Sequence, residues 1–345
     1  MNCLEKSPMD NRPFVSVIVL NWNGEAYISK CLDSLLEQTY PSYEVLVVDN
    51  GSTDGSIELL RGYLPRIRLI LNEKNLGFAA GNNVAIREAN GEFIVLFNND
   101  AVAHGEWLER LVAGTLTHPQ ADITSGPIYF YEPSDVISCA GVRIDMLTGV
   151  GWLLSLYSRH FEPSNDIDYL IGCALLVRNR VFEEIGLLDE RFFLSAEDVD
   201  FCLRAKRAGF RLRLVPDAIV WHMISMSEKQ VPARAQRQKA KSTFKLILKL
   251  WPPWCLPLTL ILQLTIIPIA NVLFLRYPFS YPIMAWGAFF SALCEQRRDG
   301  FRRAWSKDLT LHIRTLECLR VLGQRLRRGE SKIAAEMVGK RKRRS

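Results

Sequence analysis

The sequence predicts an α/β fold in which a mixed, mainly parallel sheet forms the body of the chain and helices follow it. Short apolar runs rich in β-branched residues alternate with helical patterns over the first two thirds of the chain. Polar loops follow several of these runs, and a long uncharged block comes after residue 249. Strands that are buried on both faces and separated by helices are typical of βαβ units.

The first two strands set the pattern for the sheet. Val15–Leu20 is a continuous apolar run, and Val45–Val48 is a second one. Between them, leucines at helical spacing predict a helix over Ile28–Gln38. Further strands are predicted at Ile67–Leu71, Phe93–Phe97, Gly172–Val177, Arg211–Val215 and Ile219–Val220, and further helices at Ala79–Ala89, Asn179–Ile185 and Asp198–Ala208. Ligands of such sheets bind beyond the carboxyl ends of the strands, so the residues there are the first candidates for function.

Length and composition exclude several classes of protein. With 345 residues, of which 48% are hydrophobic and 23% charged, the chain is neither a mini-protein nor disordered throughout. Its eight cysteines include no CxxC pair, which predicts reduced thiols and not a disulfide framework or a zinc cage. The N-terminal tail, residues 1–12, lacks the apolar region of a secretory signal, so we expect the chain to start in the cytoplasm.

Charge divides the chain unevenly. The net charge is +6, yet Arg297–Ser345 alone carries 16 Lys/Arg and 5 Asp/Glu, so the remainder is mildly acidic. This balance argues against nucleic acid as a partner of the main body. After the tail we expect a main domain over 13–230, an apolar helical segment over 231–296 and a basic amphipathic helix with a tail over 297–345.

The apolar segment is unusually long for a soluble core. Leu250–Leu275 contains 26 residues without a charge, and Tyr277–Cys294 contains another 18. Each run could reach across or deep into a hydrocarbon core of about 30 Å, although six prolines argue against two ideal spans. Basic residues flank both outer ends, and the positive-inside rule then predicts a membrane-associated hairpin with both ends facing the cytoplasm. The alternative is a buried helical pair that packs on the main domain.

The last region combines apolar periodicity with positive charge. Between residues 304 and 328 one helical stripe contains Trp305, Leu309, Ile313, Leu316, Leu319, Leu322 and Leu326. Arginines lie opposite this stripe, as in helices that bind an anionic bilayer surface. The basic run at 340–344 also fits a nucleic-acid arm or a solvated tail, but the neighbouring apolar segments favour lipid headgroups.

Two strand ends carry polar residues suited to ligand binding. Asp49 ends the second strand before a turn of Gly, Ser, Thr and Asp, where a carboxylate can bind a nucleobase or a ribose hydroxyl. The alternative is a turn that caps the next helix. Asn98-Asn99-Asp100 ends another strand, where one carboxylate could bind Mg²⁺ or Mn²⁺ if it had partners.

Candidate partners come from residues 192–222. Ser195-Ala196-Glu197-Asp198 has capping-box spacing, so these carboxylates either stabilise a helix N-terminus or provide a fixed base. Arg204 follows Glu197 by two helical turns and could orient a carboxylate or bind phosphate. His222 ends a strand, a position suited to an imidazole metal ligand or to a structural role.

The ordered set of motifs resembles family 2 glycosyltransferases of the GT-A fold. The motifs are VSVIVLNWNGEAYISKCLDSLLEQTYPSYEVLVVDNGSTDGS, NLGFAAGNNVAIREANGEFIVLFNNDA and IGCALLVRNRVFEEIGLLDERFFLSAEDVDFCLRAKRAGFRLRLVPDAIVWH. They cover residues 15–227. Within the family, the chain is most similar to the bacterial rhamnosyltransferase-like branch that builds cell-surface polysaccharides.

The resemblance implies a role for each matching position. Base and ribose contacts fall on Asn21, Asn23, Glu25 and Asp49. The second nucleotide-side loop contains Asn75, Gly77 and Asn82. The family's DxD motif falls on Asn98, Asn99 and Asp100. Because Asn98 replaces the first Asp, it suits a ribose or water contact, whereas Asp100 and His222 complete the metal–diphosphate site. The resemblance makes Asp198 the catalytic base, with Glu197 beside it, and we assign Arg204 to the donor site.

The implied reaction is inverting sugar transfer. A nucleotide-sugar donor such as dTDP-L-rhamnose would give its sugar, with Mg²⁺ or Mn²⁺ as cofactor, to a saccharide acceptor. The apolar segments point to a lipid-linked acceptor and to anionic membrane lipids at the cytoplasmic face of the inner or plasma membrane, with no nucleic acid involved.

Other classes fit the sequence less well. A dinucleotide-dependent oxidoreductase needs a GxGxxG turn after the first strand, where Asn21-Trp22-Asn23-Gly24 stands, and no P-loop occurs in the chain. A catalytically inactive, membrane-associated GT-A scaffold remains as the alternative. The presence of Asp100, Glu197, Asp198 and His222 together argues against it.

Overall fold

The computed structural model describes residues 12–145, 147–161, 164, 166–223, 233–269 and 281–298. The strands are β1 (Val15–Asn21), β2 (Tyr43–Asp49), β3 (Arg68–Leu71), β4 (Phe93–Asn98), β5 (Ala101–Ala103), β6 (Ala121–Ser125), β7 (Ile128–Phe130), β8 (Ile137–Cys139), β9 (Val142–Asp145), β10 (Val150–Leu153), β11 (Ala174–Arg178), β12 (Arg211–Leu214) and β13 (Val220–His222). The helices are α1 (Ile28–Leu36), α2 (Ser56–Arg61), α3 (Phe78–Glu88), α4 (Trp107–Leu116), α5 (Asn179–Ile185), α6 (Glu197–Arg207), α7 (Ala233–Leu250), α8 (Leu256–Leu264) and α9 (Tyr281–Arg298).

A seven-stranded sheet in the order β12-β6-β11-β4-β1-β2-β3 forms the centre of the main domain. Strands β3, β2, β1 and β4 are parallel, β11 runs antiparallel to both β4 and β6, and β12 is parallel to β6. The predicted mixed, mainly parallel sheet is therefore confirmed. In this register Asn21 pairs with Asp49, and Leu20 pairs with Asn98, so three polar strand ends meet at one edge.

A smaller sheet in the order β5-β13-β7-β8 lies beside that edge. His222 of β13 pairs with Ala101 of β5, directly after Asp100. The stretch 121–170 contains β6 to β10, and β9 and β10 form a separate antiparallel hairpin. The second sheet carries the imidazole from a distant part of the chain to the carboxyl end of β4.

Two hydrophobic cores cover the two faces of the central sheet. The first contains Val17, Val19 and Phe97 together with the helix residues Leu32 and Trp107. The rings of Phe97 and Trp107 meet edge to face with centroids 5.0 Å apart. The second core joins the alternate sheet residues to α3, α5 and α6. Burial of each such large side chain stabilises the fold by about 1.5–3 kcal/mol, which makes the sheet a rigid platform for its edge.

The C-terminal helices pack on the main domain and on each other. A third core joins the C-terminal end of α7 and the start of α8 to Phe192, Val199 and Leu203. A fourth joins α7 to α8 and α9. The predicted apolar segment contains α8 and α9, and α9 packs mainly on α7. Residues 270–280, where the predicted hairpin would turn, lie outside the described residues. Within the part of the chain that the structure describes, no helix has both the length and the apolar character needed to cross a membrane. The predicted basic amphipathic helix over 304–328 and tail residues 1–11 lie outside the described residues.

Candidate active site

Asn21 and Asp49 lie side by side at the ends of β1 and β2. The side-chain amide of Asn21 donates to Oδ2 of Asp49 at 2.9 Å, and both residues are buried. Asp49 also accepts hydrogen bonds from the backbone N–H and the hydroxyl of Ser52, at 2.9 and 2.7 Å. Asn99 donates to Oδ1 of Asn21 at 2.8 Å and so ties the end of β4 to the same cluster. Three predicted site residues therefore form one hydrogen-bonded group.

Asn23 and Glu25 hold the loop after β1 against the loop after β2. Oδ1 of Asn23 accepts the backbone N–H of Thr53 at 2.8 Å. Oε2 of Glu25 accepts the backbone N–H of Gly55 at 3.0 Å. Asn23 has a positive φ of 50°, a conformation that Asn tolerates better than most residues. The two loops thus form one polar wall at the edge of the sheet.

A third loop closes this wall through Asn50, a residue that the sequence did not single out. The side chain of Asn50 donates to Oδ1 of Asn75 at 3.1 Å and accepts the backbone N–H of Leu76 at the same distance. Asn75 in turn accepts the backbone N–H of Gly77 at 2.8 Å. The position of Asn50 directly after Asp49, in the strand-end motif, was the available signal for it.

Gly77 has a conformation and surroundings that require glycine. Its φ is +86°, and a Cβ atom there would lie 2.6 Å from the carbonyl oxygen of Phe193. The next residue, Phe78, donates its backbone N–H to that carbonyl at 2.8 Å. Asn82, in contrast, is buried on α3 and donates to the Phe78 carbonyl at 2.9 Å, a bond to its own helix. Gly77 thus joins the polar wall to the segment before α6.

Asp100 and His222 form the second part of the site. Nε2 of His222 lies 2.8 Å from Oδ1 of Asp100 and 3.4 Å from the amide nitrogen of Asn98. Burial works against the imidazolium, but the neighbouring Cys173 thiol and the Asp100 carboxylate together raise the pKa of His222 well above its ordinary value. The structure thus brings these two predicted residues into direct contact.

This pair suits a divalent cation that also binds substrate. A carboxylate and an imidazole are both ligands of such ions. The described residues contain no group of three or more His, Cys, Asp and Glu side chains that could hold a metal by themselves. Mg²⁺ commonly binds through one or two protein groups and completes its shell with substrate phosphates and water. Asp100 and His222 therefore fit a cation that a diphosphate helps to hold.

Asp198 lies in the first turn of α6 and is half-buried. Oδ2 accepts the backbone N–H of Gly172 at 3.0 Å, and Oδ1 accepts that of Val199 at 2.8 Å. Burial outweighs these bonds and raises the pKa of Asp198. The residue after Gly172, Cys173, accepts the backbone N–H of Asn98 at 2.9 Å. The two residues just before β11 thereby link the candidate base to the end of β4 next to Asp100.

Glu197 is buried beside Asp198. Burial and the charge of Asp198 raise the pKa of Glu197 well above its ordinary value. Its Oε2 atom has no hydrogen-bond partner among the described residues. The capping-box interpretation is wrong: Ala196 is the N-cap, with φ +75°, and its side chain makes no capping hydrogen bond. Ser195 also has a positive φ, of 68°, so it does not take the extended conformation of a capping serine.

Arg204 is not brought to this cluster. Its Nε donates to Oδ2 of Asp200 at 2.8 Å, and its two terminal nitrogens each donate at 2.7 Å to the carbonyls of Ile185 and Leu187. It does orient a carboxylate, but that of the buried Asp200 in the same helix. The spacing of two helical turns between Glu197 and Arg204 did not show which residues Arg204 would contact in the folded chain.

Comparison with known proteins identifies the family. The family model named Glycosyl transferase family 2 matches residues 16–186. Glycosyltransferase AglE of Haloferax volcanii is 31% identical over 238 residues, which cover 68% of this chain and 71% of AglE. The N-acetylglucosaminyl-diphospho-decaprenol L-rhamnosyltransferase of Mycobacterium tuberculosis is 27% identical over 252 residues, which cover 66% of this chain and 82% of that enzyme.

A solved structure shows the same fold. The mannosyltransferase PcManGT of Pyrobaculum calidifontis, in complex with GDP-Man and Mn²⁺, has a TM-score of 0.52 at 19% identity. The likeness covers 85% of this chain and 91% of that one. The family match and the shared fold together identify a glycosyltransferase of the GT-A fold. The chain belongs to glycosyltransferase family 2.

Proposed function

We propose that this enzyme is an inverting glycosyltransferase that transfers a sugar from a nucleoside-diphosphate donor to a lipid-linked saccharide in cell-surface polysaccharide assembly. The observation that carries the proposal is the link through Gly172 and Cys173. Gly172 donates to Asp198, and Cys173 accepts from Asn98, so the candidate base and the candidate diphosphate end share one short segment. Proton acceptance and departure of the leaving group need such proximity.

Donor binding is assigned to the polar wall at the ends of β1 and β2. Asn21, Asn23, Glu25 and Asp49 would contact the base and ribose, and Asn75, Gly77 and Asn82 would border the same site. Asn98 and Asn99 would contact the ribose or a bound water. The contacts of Arg204 with Asp200 support a structural role for it, and we do not include it in the donor site.

Cofactor binding is assigned to Asp100 and His222. A bound Mg²⁺ or Mn²⁺ would supply charge that offsets the growing charge of the leaving nucleoside diphosphate. The two candidate ligand atoms lie 2.8 Å apart, which supports an ion that binds both in exchange for the proton of His222. The PcManGT complex contains Mn²⁺ together with its donor, which gives independent support for a divalent cation.

Proton transfer is assigned to Asp198. The acceptor hydroxyl oxygen would bond to the anomeric carbon on the face opposite the nucleotide, while the bond from that carbon to the diphosphate oxygen breaks. Asp198 would take the hydroxyl proton, and the electron pair would leave with the nucleoside diphosphate. The hydrogen bonds from Gly172 and Val199 hold its carboxylate in one orientation. Glu197 would place a second carboxyl group next to this base.

The acceptor is proposed to be saccharide on a polyprenyl diphosphate, at the cytoplasmic face of the membrane. The name of the mycobacterial relative contains such a carrier, decaprenol, and L-rhamnose, which makes dTDP-L-rhamnose the first donor to test. The C-terminal region supports contact with the bilayer, because it exposes several large apolar side chains: Trp254, Leu258, Ile261, Ile266, Ile269, Ile283, Trp286 and Phe290. A basic chain end from residue 297 complements anionic lipids.

A catalytically inactive scaffold is the second candidate, because Asn98 replaces the first Asp of the family motif. The two candidates differ in chemistry and not in fold. Slow, metal-dependent release of nucleotide from the donor without acceptor is expected of the enzyme. A scaffold releases none.

A thermal-shift screen of the full chain tests donor binding. The probes are dTDP-, UDP- and GDP-sugars, each with Mn²⁺, Mg²⁺ or EDTA. A ligand at 100 times its dissociation constant adds about 2.7 kcal/mol of stability. We expect a shift with one nucleotide class that EDTA removes. Absence of any shift would contradict the proposal.

A further inference from the structure

Helix α7 packs on the segment that precedes the candidate base. We call residues 189–196, between α5 and α6, the base loop. Lys249, near the end of α7, donates from Nζ to Oδ2 of Asp189 at 2.8 Å, at the start of this loop. The same ammonium forms an ion pair with Asp200 of α6. The side chains of all three residues are almost completely buried.

Two more polar side chains of α7 hold the base loop by its backbone. Nζ of Lys245 donates to the carbonyl of Arg191 at 2.8 Å. The hydroxyl of Ser242 donates to the carbonyl of Leu194 at 2.8 Å. Positions 242, 245 and 249 lie on one face of a helix, three and four residues apart. This face therefore holds the base loop at three successive points.

Apolar packing accompanies these bonds. The third core contains loop and α6 residues, namely Phe192, Ala196, Val199 and Leu203. From the C-terminal helices it contains Leu246, Ile247, Leu250, Trp251, Cys255 and Leu256. Val199 directly follows Asp198, so the base lies at the border of a core that the C-terminal helices help to build.

The end of the base loop has a conformation that needs support from its surroundings. Ser195 and Ala196 have φ values of 68° and 75°, in the left-handed region that favours glycine. Two successive residues of this kind persist only where neighbouring structure holds them. Asp198 follows two residues later, so a relaxed loop would move its carboxylate away from the Gly172 amide.

We propose that α7 is part of the catalytic site and that Lys249 is a positioning residue, which fixes the base loop and thereby the carboxylate of Asp198. Each of the two carboxylates that Lys249 contacts also forms an ion pair with an arginine. Arg191 bonds to Asp189 at 2.6 Å, and Arg204 bonds to Asp200 at 2.8 Å. Lys249 alone joins the loop to the helix among the described ion pairs, so its loss leaves two separate pairs.

The chain offers a matched control on the same helix. Lys241 also lies on α7 and forms an ion pair, but with Glu295 of α9. Lys241→Met removes the same charge from the same helix, and Lys241 itself has no described contact with the base loop. Glu295 keeps its second ion pair, with Lys245. Lys249→Met removes the ammonium that pairs with both Asp189 and Asp200.

The experiment compares wild type, Lys249→Met and Lys241→Met as full-length chains. It measures kcat and donor KM of sugar transfer, and hydrogen–deuterium exchange of peptides from residues 189–200. For Lys249→Met we expect kcat to fall about 100-fold, the cost of a displacement near 1 Å in a catalytic group. Donor KM stays unchanged and exchange becomes faster in the base loop, while peptides of β4 keep their protection. Lys241→Met stays at the wild-type values.

Several outcomes would overturn the proposal. One is that Lys249→Met keeps the wild-type kcat and the wild-type exchange rate in the base loop. Another is that Lys249→Met and Lys241→Met lose the same amount of activity. If Lys249→Met does not fold, Ser242→Ala replaces it, and unchanged loop exchange there overturns the proposal. The measurement of kcat and KM depends on the proposed function. If the wild type transfers no sugar, that function fails, and the exchange comparison alone decides whether Lys249 positions the loop.

Discussion

Nε2 of His222 lies 2.8 Å from Oδ1 of Asp100, although 122 positions separate the two residues in the chain. The contact forms because His222 pairs with Ala101 in the second sheet. The backbone N–H of Met223 donates to the carbonyl of Asp100 at 2.8 Å and fixes the same junction. Removal of either side chain should therefore affect cofactor binding before it affects the fold.

Asp100→Asn is expected to remove the metal-dependent part of donor binding. The amide keeps the size of the side chain but not its negative charge, which a divalent cation needs. In a thermal-shift assay with donor, Mn²⁺ should add no stability to this variant. Asp135→Asn is the control, because Asp135 is an exposed residue paired with Arg159. A full Mn²⁺-dependent shift in Asp100→Asn would contradict the assignment.

Gly77→Ala is expected to destabilise the protein. A Cβ atom at this position meets the Phe193 carbonyl at 2.6 Å, and the φ of +86° is unfavourable for alanine. We expect the free energy of unfolding to fall by about 1–3 kcal/mol in urea titrations. Gly105→Ala is the control, because no described atom lies within 4 Å of its added Cβ. Equal stability of the two variants would refute the close contact.

Glu197→Gln is expected to change the pH dependence of stability. Burial and the Asp198 charge raise the pKa of Glu197 above its ordinary 4.5, so the native state binds this proton more tightly than the unfolded state. The contribution of Glu197 is complete below pH 4.5 and is lost as pH rises through the raised pKa. The unfolding free energy of wild type relative to Glu197→Gln should thus fall with rising pH.

Glu190→Gln is a control in which the change of stability with pH should have the opposite sign. Hydrogen bonds from Asn83 and Arg87 lower the pKa of Glu190 below its ordinary value. Its contribution to stability is therefore present above the ordinary pKa and is lost as pH falls. Urea titrations between pH 3 and 8 compare both variants, so that they include the range below 4.5 in which the contribution of Glu190 is lost. The same slope for both variants would be inconsistent with the buried environment of Glu197.

Ile261→Ser/Ile283→Ser is expected to weaken binding to anionic vesicles. The two isoleucines are 58% and 77% exposed on α8 and α9. Transfer of each side chain into lipid would contribute about 2 kcal/mol. Cosedimentation with vesicles of acidic phospholipid measures the loss. Leu116→Ser, at a 45% exposed position on α4, is the control and should bind as wild type. Equal binding of the double variant and wild type would exclude these side chains from the membrane contact.

The sequence predicted the parts of the site that lie at strand ends. Asp49 and Asn98 end continuous apolar runs, and the parallel register brings those ends together. Such runs depend on local hydrophobicity, which is visible in a single sequence. The roles of Asp100, His222 and Asp198 came from the resemblance to a family and not from spacing.

Other parts depend on contacts that spacing alone does not reveal. Arg204 bonds to Asp200 because of how α6 packs, and its distance from Glu197 in the chain did not indicate this. Ser195 has capping-box spacing, yet its positive φ depends on the packing around the base loop. The bond between Lys249 and Asp189 joins residues 60 positions apart, and no motif marks it.

The most direct test of the proposed reaction is a transfer assay with wild type and Asp198→Asn. Each protein is given dTDP-L-rhamnose, UDP- or GDP-sugars, Mn²⁺ and a polyprenyl-diphosphate saccharide, and the product is analysed by mass spectrometry and NMR. Wild type should add one sugar with inverted anomeric configuration. Asp198→Asn should bind donor as wild type but transfer at least about 100-fold more slowly, because its amide accepts no proton. A product with retained configuration, or equal rates for the two proteins, would contradict the proposed mechanism.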